Sequence, residues 1–187
     1  MTSPATSPAD APRPGPRPVR PVVDPTAEPV PAAQQPAIPA GSVVVGHDGS
    51  AAAQAALDQA LELAAALAAP VVVVRTWSID TAPPGAVFHD GFAASFAEIG
   101  ETVEERLRAD TASSARRHPE LDVHLRSVLS QPAETLIALS HDARMLVVGS
   151  RGLGGFAGML LGSVSDRCVR HARCPVLVVP RTRDPRG

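Results

Sequence analysis

The chain has 187 residues and a formal net charge of −2, room for one domain of ordinary size with some excess. That balance lacks the basic footprint of a dedicated nucleic-acid binder, and no run approaches the roughly 20 apolar residues of a membrane span. All 17 basic residues are Arg, so Schiff-base chemistry and a P-loop lysine are both excluded.

The first forty residues hold 12 of the 20 prolines, no aromatic residue, and three Arg against two Asp and one Glu. Proline at that density interrupts ladders and helix interiors and leaves little surface to bury. The stretch "PRPGPRPVRPVVDP" is expected to populate polyproline II within a disordered tail over 1–40. It reads either as a spacer or as a PxxP ligand for an SH3-like partner. No apolar h-region of a secretory leader stands at the N-terminus, so the expected compartment is the cytoplasm. Two cysteines in such a chain make no disulfide framework.

From Ser42 the character changes, and a single domain over 41–182 is expected, with a short tail at 183–187. "SVVVGHD" is a Val-rich strand. "GSAAAQAALDQALELAAALAAP" follows as a helix, with Gln54, Asp58 and Glu62 on one polar face, Ser50 placed as N-cap and Pro70 at its end. "VVVVRTW" is a second strand. After a looser segment at Pro83, Pro84 and Gly85, the spacing of Phe92, Phe96, Ile99, Val103 and Leu107 predicts a second amphipathic helix. "LDVHLRSVL" alternates and reads as a strand exposed on one side. "QPAETLIALSHDA" carries Pro near a helix start, "RMLVVGS" is a fourth strand, "SVSDRCVRHA" a last helix, and "CPVLVVP" a fifth strand.

The order β-α-β-α-β-α-β-α-β, with several continuous apolar strands, predicts an α/β fold. The expected architecture is a doubly wound, Rossmann-like five-stranded parallel sheet, order 3-2-1-4-5, with helices on both faces. Such sheets bind ligands beyond the carboxyl ends of strands where the order reverses. The two ends expected to flank that point are "VVVGHDGS" and "LVVGSRG", and both end in Gly, which admits close backbone approach. The second opens the glycine-rich stretch "GSRGLGGFAGMLLGS" at residues 149–163. Amides in such a turn form an anion-binding concavity, and Ser163 to Ser165 then sit at a helix N-terminus, where a phosphate is favoured.

The missing lysine rules out a Walker A loop. A dinucleotide fingerprint fails because Ala157 stands where the third glycine belongs and the helix starts too late. What fits is G-x2-G-x9-G-[ST], read through Gly149, Gly152, Gly162 and Ser163. With "VVVGHDGS", "VVVVRTW" and the closing "CPVLVVP", this signature resembles the universal stress proteins of the ATP-binding type over residues 42–180. The resemblance implies a nucleotide-dependent stress-response module with ATP, accompanied by Mg, as ligand. It implies that Asp48 lies against the adenosine with Gly46 beside it, and that the Thr76 backbone meets adenine. Gly149 and Gly152 would line ribose and phosphates, and Val148, Ser150, Arg151, Leu153, Gly154 and Gly155 would belong to the same cofactor-binding stretch. Gly162, Ser163, Val164 and Ser165 would hold phosphates through amides and hydroxyls. It also implies a homodimer through the last strand, Cys174 to Pro180, whose short apolar edge invites pairing.

Several residues keep two readings. His47 is either an ordinary packed histidine or a ligand contact with pH sensitivity, and Asp48 either touches the nucleotide or serves as a helix cap. Arg151 and Arg167 either reach a phosphate or remain solvated, and Asp166 either helps hold Mg²⁺ or does not. Cys168, His171 and Cys174 have metal-like spacing but offer three ligands where structural zinc takes four; core thiol packing is the expected role of Cys168 beside Val164 and Ala172. Glu98, Glu101, Glu104 and Glu105 read as a solvated face. No general base or nucleophile is evident, so hydrolysis is expected to be slow or absent. The alternatives are a weak ATPase or a self-phosphorylating enzyme with Ser163 or Ser165 as acceptor, and an interaction protein that binds no nucleotide. The HIGH-type and SGGxDS-type signatures of related nucleotide enzymes do not occur.

Overall fold

The computed structural model of the chain describes residues 37–89, 92–154 and 160–180. The Pro-rich stretch before residue 37, Gly155 and the tail at 183–187 lie outside them. In chain order, strand β1 (Val43–Gly46) leads to helix α1 (Ala51–Leu67) and strand β2 (Val71–Trp77). A single 3-10 turn at Ile79–Thr81 and a two-residue hairpin, β3 (Phe88–His89) with β4 (Phe92–Ala93), precede helix α2 (Phe96–Ala115). Strand β5 (Val123–Leu129), helix α3 (Pro132–Leu139), strand β6 (Met145–Gly149), helix α4 (Ser163–His171) and strand β7 (Val176–Val179) complete the order.

The five longer strands form one parallel sheet in the order β5-β2-β1-β6-β7, which is 3-2-1-4-5 when only these strands are counted. Val43 pairs with Val71 on one side and Met145 on the other, so the reversal of strand order falls between β1 and β6. Alternation decides which helix each strand residue meets. Val43, Val45, Val71, Val73 and Val147 pack with Leu57, Leu61 and Leu107 on the α1–α2 face. Val44, Val72, Val74, Leu146 and Val148 pack with Leu136 and Cys168 on the α3–α4 face. Each such fully buried aliphatic side chain contributes about 1.5–3 kcal/mol relative to exposure.

Local chemistry sets the helix starts. Ser50 accepts the Ala53 N–H at 3.1 Å and begins α1. Ser95 and Glu98 form a reciprocal capping box (2.8 and 3.3 Å) that begins α2 at Phe96. The helical stripe therefore starts later than the spacing of Phe92 suggests, because Phe92 belongs to the hairpin strand β4. The polar face of α1 is not simply solvated either. Gln54 Nε2 donates to Ser114 Oγ at 2.7 Å and Arg117 Nη2 donates to Asp58 at 2.7 Å, tying α1 to α2.

Candidate functional site

A cleft of about 1400 Å³ opens over the carboxyl ends of β1, β2 and β6 and reaches the first turn of α4. Of the sequence-predicted residues, Gly46, Asp48, Thr76, Val148, Gly149, Arg151, Gly152, Leu153, Gly154, Gly162, Ser163, Val164 and Ser165 line it. Ser150 is not on the wall but holds it together. Its carbonyl accepts from Gly162 N–H (2.8 Å) and Ser165 Oγ (3.1 Å), and its own N–H donates to Val179 O (2.7 Å).

The floor follows from strand register. In a parallel ladder a residue's N–H and C=O point to the same side, alternating along the strand. His47 N–H donates to Val74 O, so the polar groups of Val74 face β1, and those of Thr76, two residues on, face the same way. The β1–β2 pairing ends at Gly46 with Val74. The main-chain groups of Thr76 therefore look past the end of β1 into the cleft, without a backbone partner among the described residues.

The far wall is the start of α4. Gly162 is its N-cap, and the amides of Ser163, Val164 and Ser165 meet no acceptor among the described residues. Three such N–H groups with the helix dipole behind them are chemically suited to an anion. Ser165 Oγ is turned inward, to Gly162 O (2.9 Å) as well as Ser150 O, so its amide rather than its hydroxyl is available.

Asp48 bridges the two strand ends. Its Oδ1 accepts from Ser50 N–H at 2.9 Å and its Oδ2 accepts from Leu153 N–H at 3.0 Å. Asp48 thus braces the turn that begins α1 and also reaches the glycine-rich loop. A Cβ on Gly152 would collide with the same carboxylate. His47 is 3% exposed. Its Nδ1 accepts from Arg75 Nη2 at 2.7 Å and from Gly49 N–H at 3.3 Å, so the ring is neutral with its proton on Nε2. Among the described residues no partner completes hydrogen-bond geometry with Nε2, though the Gln54 side chain is close enough to favour a proton on the ring. Burial and then the Arg75 charge lower the imidazole pKa, opposed by Gln54, Asp110 and Asp48.

The remaining candidates separate. Arg151 lines the cleft and is exposed, whereas Arg167 faces Glu134 of α3 at 3.7 Å. Asp166 borders the cleft but is paired with Arg170 at 2.9 Å. Cys168 is fully buried on the α3–α4 face with Val164 and Ala172, and burial pushes its thiol up to about 11. Among the described residues no three His, Cys, Asp or Glu side chains converge on a metal position.

Sequence reasoning missed the outer part of the cleft, where Trp77, Thr81, Pro83, Val103 and Arg106 contribute. It also missed Arg75 and Asp110, an ion pair at 2.8 Å across Gly49. Arg75 adjoins Thr76 and offered a signal. Asp110 sits on a charged helix and offered none.

The family model described as "Universal stress protein family" matches residues 40–180. The chain belongs to the universal stress protein family. A universal stress protein of Mycolicibacterium smegmatis is 36% identical over 138 residues, covering 73% of this chain and 45% of that protein. One of Mycobacterium tuberculosis is 36% identical over the same length, covering 73% and 44%. The chain thus spans less than half the length of these curated relatives. Among solved structures, a universal stress protein in complex with cAMP is 28% identical with a TM-score of 0.53, covering 76% of this chain and 98% of that one. The structure of MJ0577, at 19% identity and a TM-score of 0.60 over 79% and 100% of the two chains, shares the fold. No helix among the described residues is long and apolar enough to cross a membrane.

Proposed function

We propose that this domain is a nucleotide-binding regulatory module of the stress-response type, with ATP as ligand and slow or no hydrolysis. On this reading the Thr76 main chain meets adenine, Asp48 takes a ribose hydroxyl on its remaining lone pairs, and the amides of Ser163, Val164 and Ser165 take phosphate oxygens. Mg²⁺ accompanies the triphosphate; Asp166 could join it only by leaving Arg170. The complex of a 28%-identical relative with cAMP supports an adenine nucleotide as the class of ligand.

One observation carries the reading. Gly162 has φ −77° and ψ 164°, a conformation open to any residue, and a Cβ there would make ordinary contacts of 3.5 Å or more. Neither backbone conformation nor packing among the described residues requires glycine at this N-cap, where Ser is the better residue. What a side chain would take away is space at the mouth of the α4 amides. Gly162→Ser should therefore hold or raise the melting temperature while weakening ATP at least about tenfold. Calorimetric titration with ATP, AMP and cAMP, each with Mg²⁺, tests this; no saturable binding by the unaltered protein discards the reading.

We further propose that occupancy is read through a homodimer at the last strand, Cys174 to Pro180. Among the described residues no strand pairs with the outer edge of β7, which is wholly apolar, whereas the opposite edge strand β5 carries His124 and Arg126. The Ser150 N–H to Val179 O bond joins the loop to that edge directly. Sedimentation equilibrium with and without ATP checks it; a monomer at every protein concentration removes it.

A further inference from the structure

Beside the cleft, one cation is committed to an unusual set of partners. Arg75 projects from β2 with 13% of its side chain exposed. Its Nε donates to the main-chain carbonyl of His47 at 3.1 Å, and its Nη2 lies 2.7 Å from His47 Nδ1 and 2.8 Å from Asp110 Oδ2 of α2. The same imidazole nitrogen receives the Gly49 N–H, and Gly49 sits at φ +87°, the left-handed turn that swings the chain from β1 into α1. Asp48 stands between these two anchored residues and reaches across to Leu153.

We propose that Arg75 is a positioning residue for the ligand site. Anchored by Asp110, it clamps His47 at both carbonyl and ring and so fixes the turn that aims Asp48 at the glycine-rich loop. A guanidinium is suited to this because its planar fork serves several acceptors at fixed angles, which an ammonium cannot reproduce. The partners also explain the neutral ring: with two donors aimed at Nδ1, a proton there would meet the guanidinium head-on. The groups facing the imidazole are Arg75 from β2, Asp110 from α2, Asp48 in the turn and Gln54 from α1. The value of the clamp for ligand affinity rests on the proposed nucleotide site; its effect on Asp48 does not.

The test compares the full chain with Arg75→Met and, as a variant that keeps the arginine but removes its anchor's charge, Asp110→Asn. Amide spectra without nucleotide report the Leu153 and Ser50 N–H groups that Asp48 holds, and histidine ring ¹⁵N shifts report the tautomer of His47. Calorimetry reports ATP affinity. Positioning predicts that both variants move the Leu153 and Ser50 resonances and leave the Val45 amide of β1 in place. It also predicts that Nδ1 of His47 becomes easier to protonate in Arg75→Met, and that ATP binds about tenfold more weakly. Arg75→Lys should restore the charge without restoring the Leu153 resonance. Unmoved Leu153 and Ser50 amides in a folded Arg75→Met protein, or in Asp110→Asn if the first does not fold, overturn the proposal. If the unaltered protein takes no ATP while those amides still move, the nucleotide reading fails and the clamp stands.

Discussion

The two strand ends that face each other across the cleft are built on opposite plans. After β1 the chain is held by its own groups: the His47 carbonyl and ring by Arg75, Gly49 by His47, Ser50 by Asp48, and α1 by Ser50. After β6 the described residues are tied as well, Ser150 to Val179, Leu153 to Asp48, and Gly162 and Ser165 to Ser150, but three helix amides meet no acceptor among the described residues. One side is braced by its own side chains, and the other presents open helix amides to the cleft. The glycines divide along the same line. Gly149 is demanded by packing, Gly152 by the Asp48 carboxylate, and Gly162 by neither.

That division can be broken one glycine at a time. The largest effect is expected at Gly149, where a Cβ would lie 2.9 Å from the carbonyl carbon of Ala52 and 3.0 Å from its oxygen. Those are main-chain atoms of α1 and cannot rotate away, so β6 and α1 must separate. Gly149→Ala should cost about 1–3 kcal/mol, the usual range for an overpacked core. Urea unfolding measures it, and an unchanged midpoint would show that the β6–α1 spacing is loose. Gly152→Ala should act differently, because its clash is with the flexible Asp48 carboxylate. The expected outcome is loss of the Leu153 hydrogen bond, about 1 kcal/mol, with the core untouched. In amide spectra the change should be confined to residues 48–50 and 150–154; a change spreading to β1 and β2 would mean that the bridge supports the sheet as well as the site.

The sheet was legible because four of its five strands are apolar runs, as parallel strands covered on both faces should be, and the fifth, β5, shows an alternating pattern. The glycine-rich loop was legible because its spacing excludes the commoner phosphate loops, and thirteen of the residues it drew in line the cleft. Contacts made between distant helices were not legible. Gln54 and Asp58 look like a solvent face until α2 brings Ser114 and Arg117 against them. Asp110 looks like one more charge on a helix until Arg75 meets it. Phe92 fits a helical spacing, but the Ser95–Glu98 box starts the helix after it, a local bond overriding an apolar period. In each case the deciding partner is tens of residues away or competes at short range, and periodicity reports neither.

The smallest expected effect sharpens the same comparison on its braced side. His47 is buried neutral, its pKa lowered below 6.5 first by desolvation and then by Arg75. In the unfolded chain the ring returns to 6.5, so between the two values the unfolded state binds the extra proton. Stability attributable to this residue is therefore flat above that pH and falls as the solution is acidified below it, by at most about 1.4 kcal/mol per pH unit for one proton. His47→Asn places a neutral amide beside Arg75 that has an oxygen to offer and no proton to gain. Carboxylates common to both proteins largely cancel in the difference. The stability advantage of the unaltered chain, from urea unfolding at a series of pH values, should be constant near neutrality and shrink steadily on acidification. An advantage that stays constant throughout would mean that the ring accommodates a proton beside Arg75, and the wall after β1 would then be less rigid than its hydrogen bonds require.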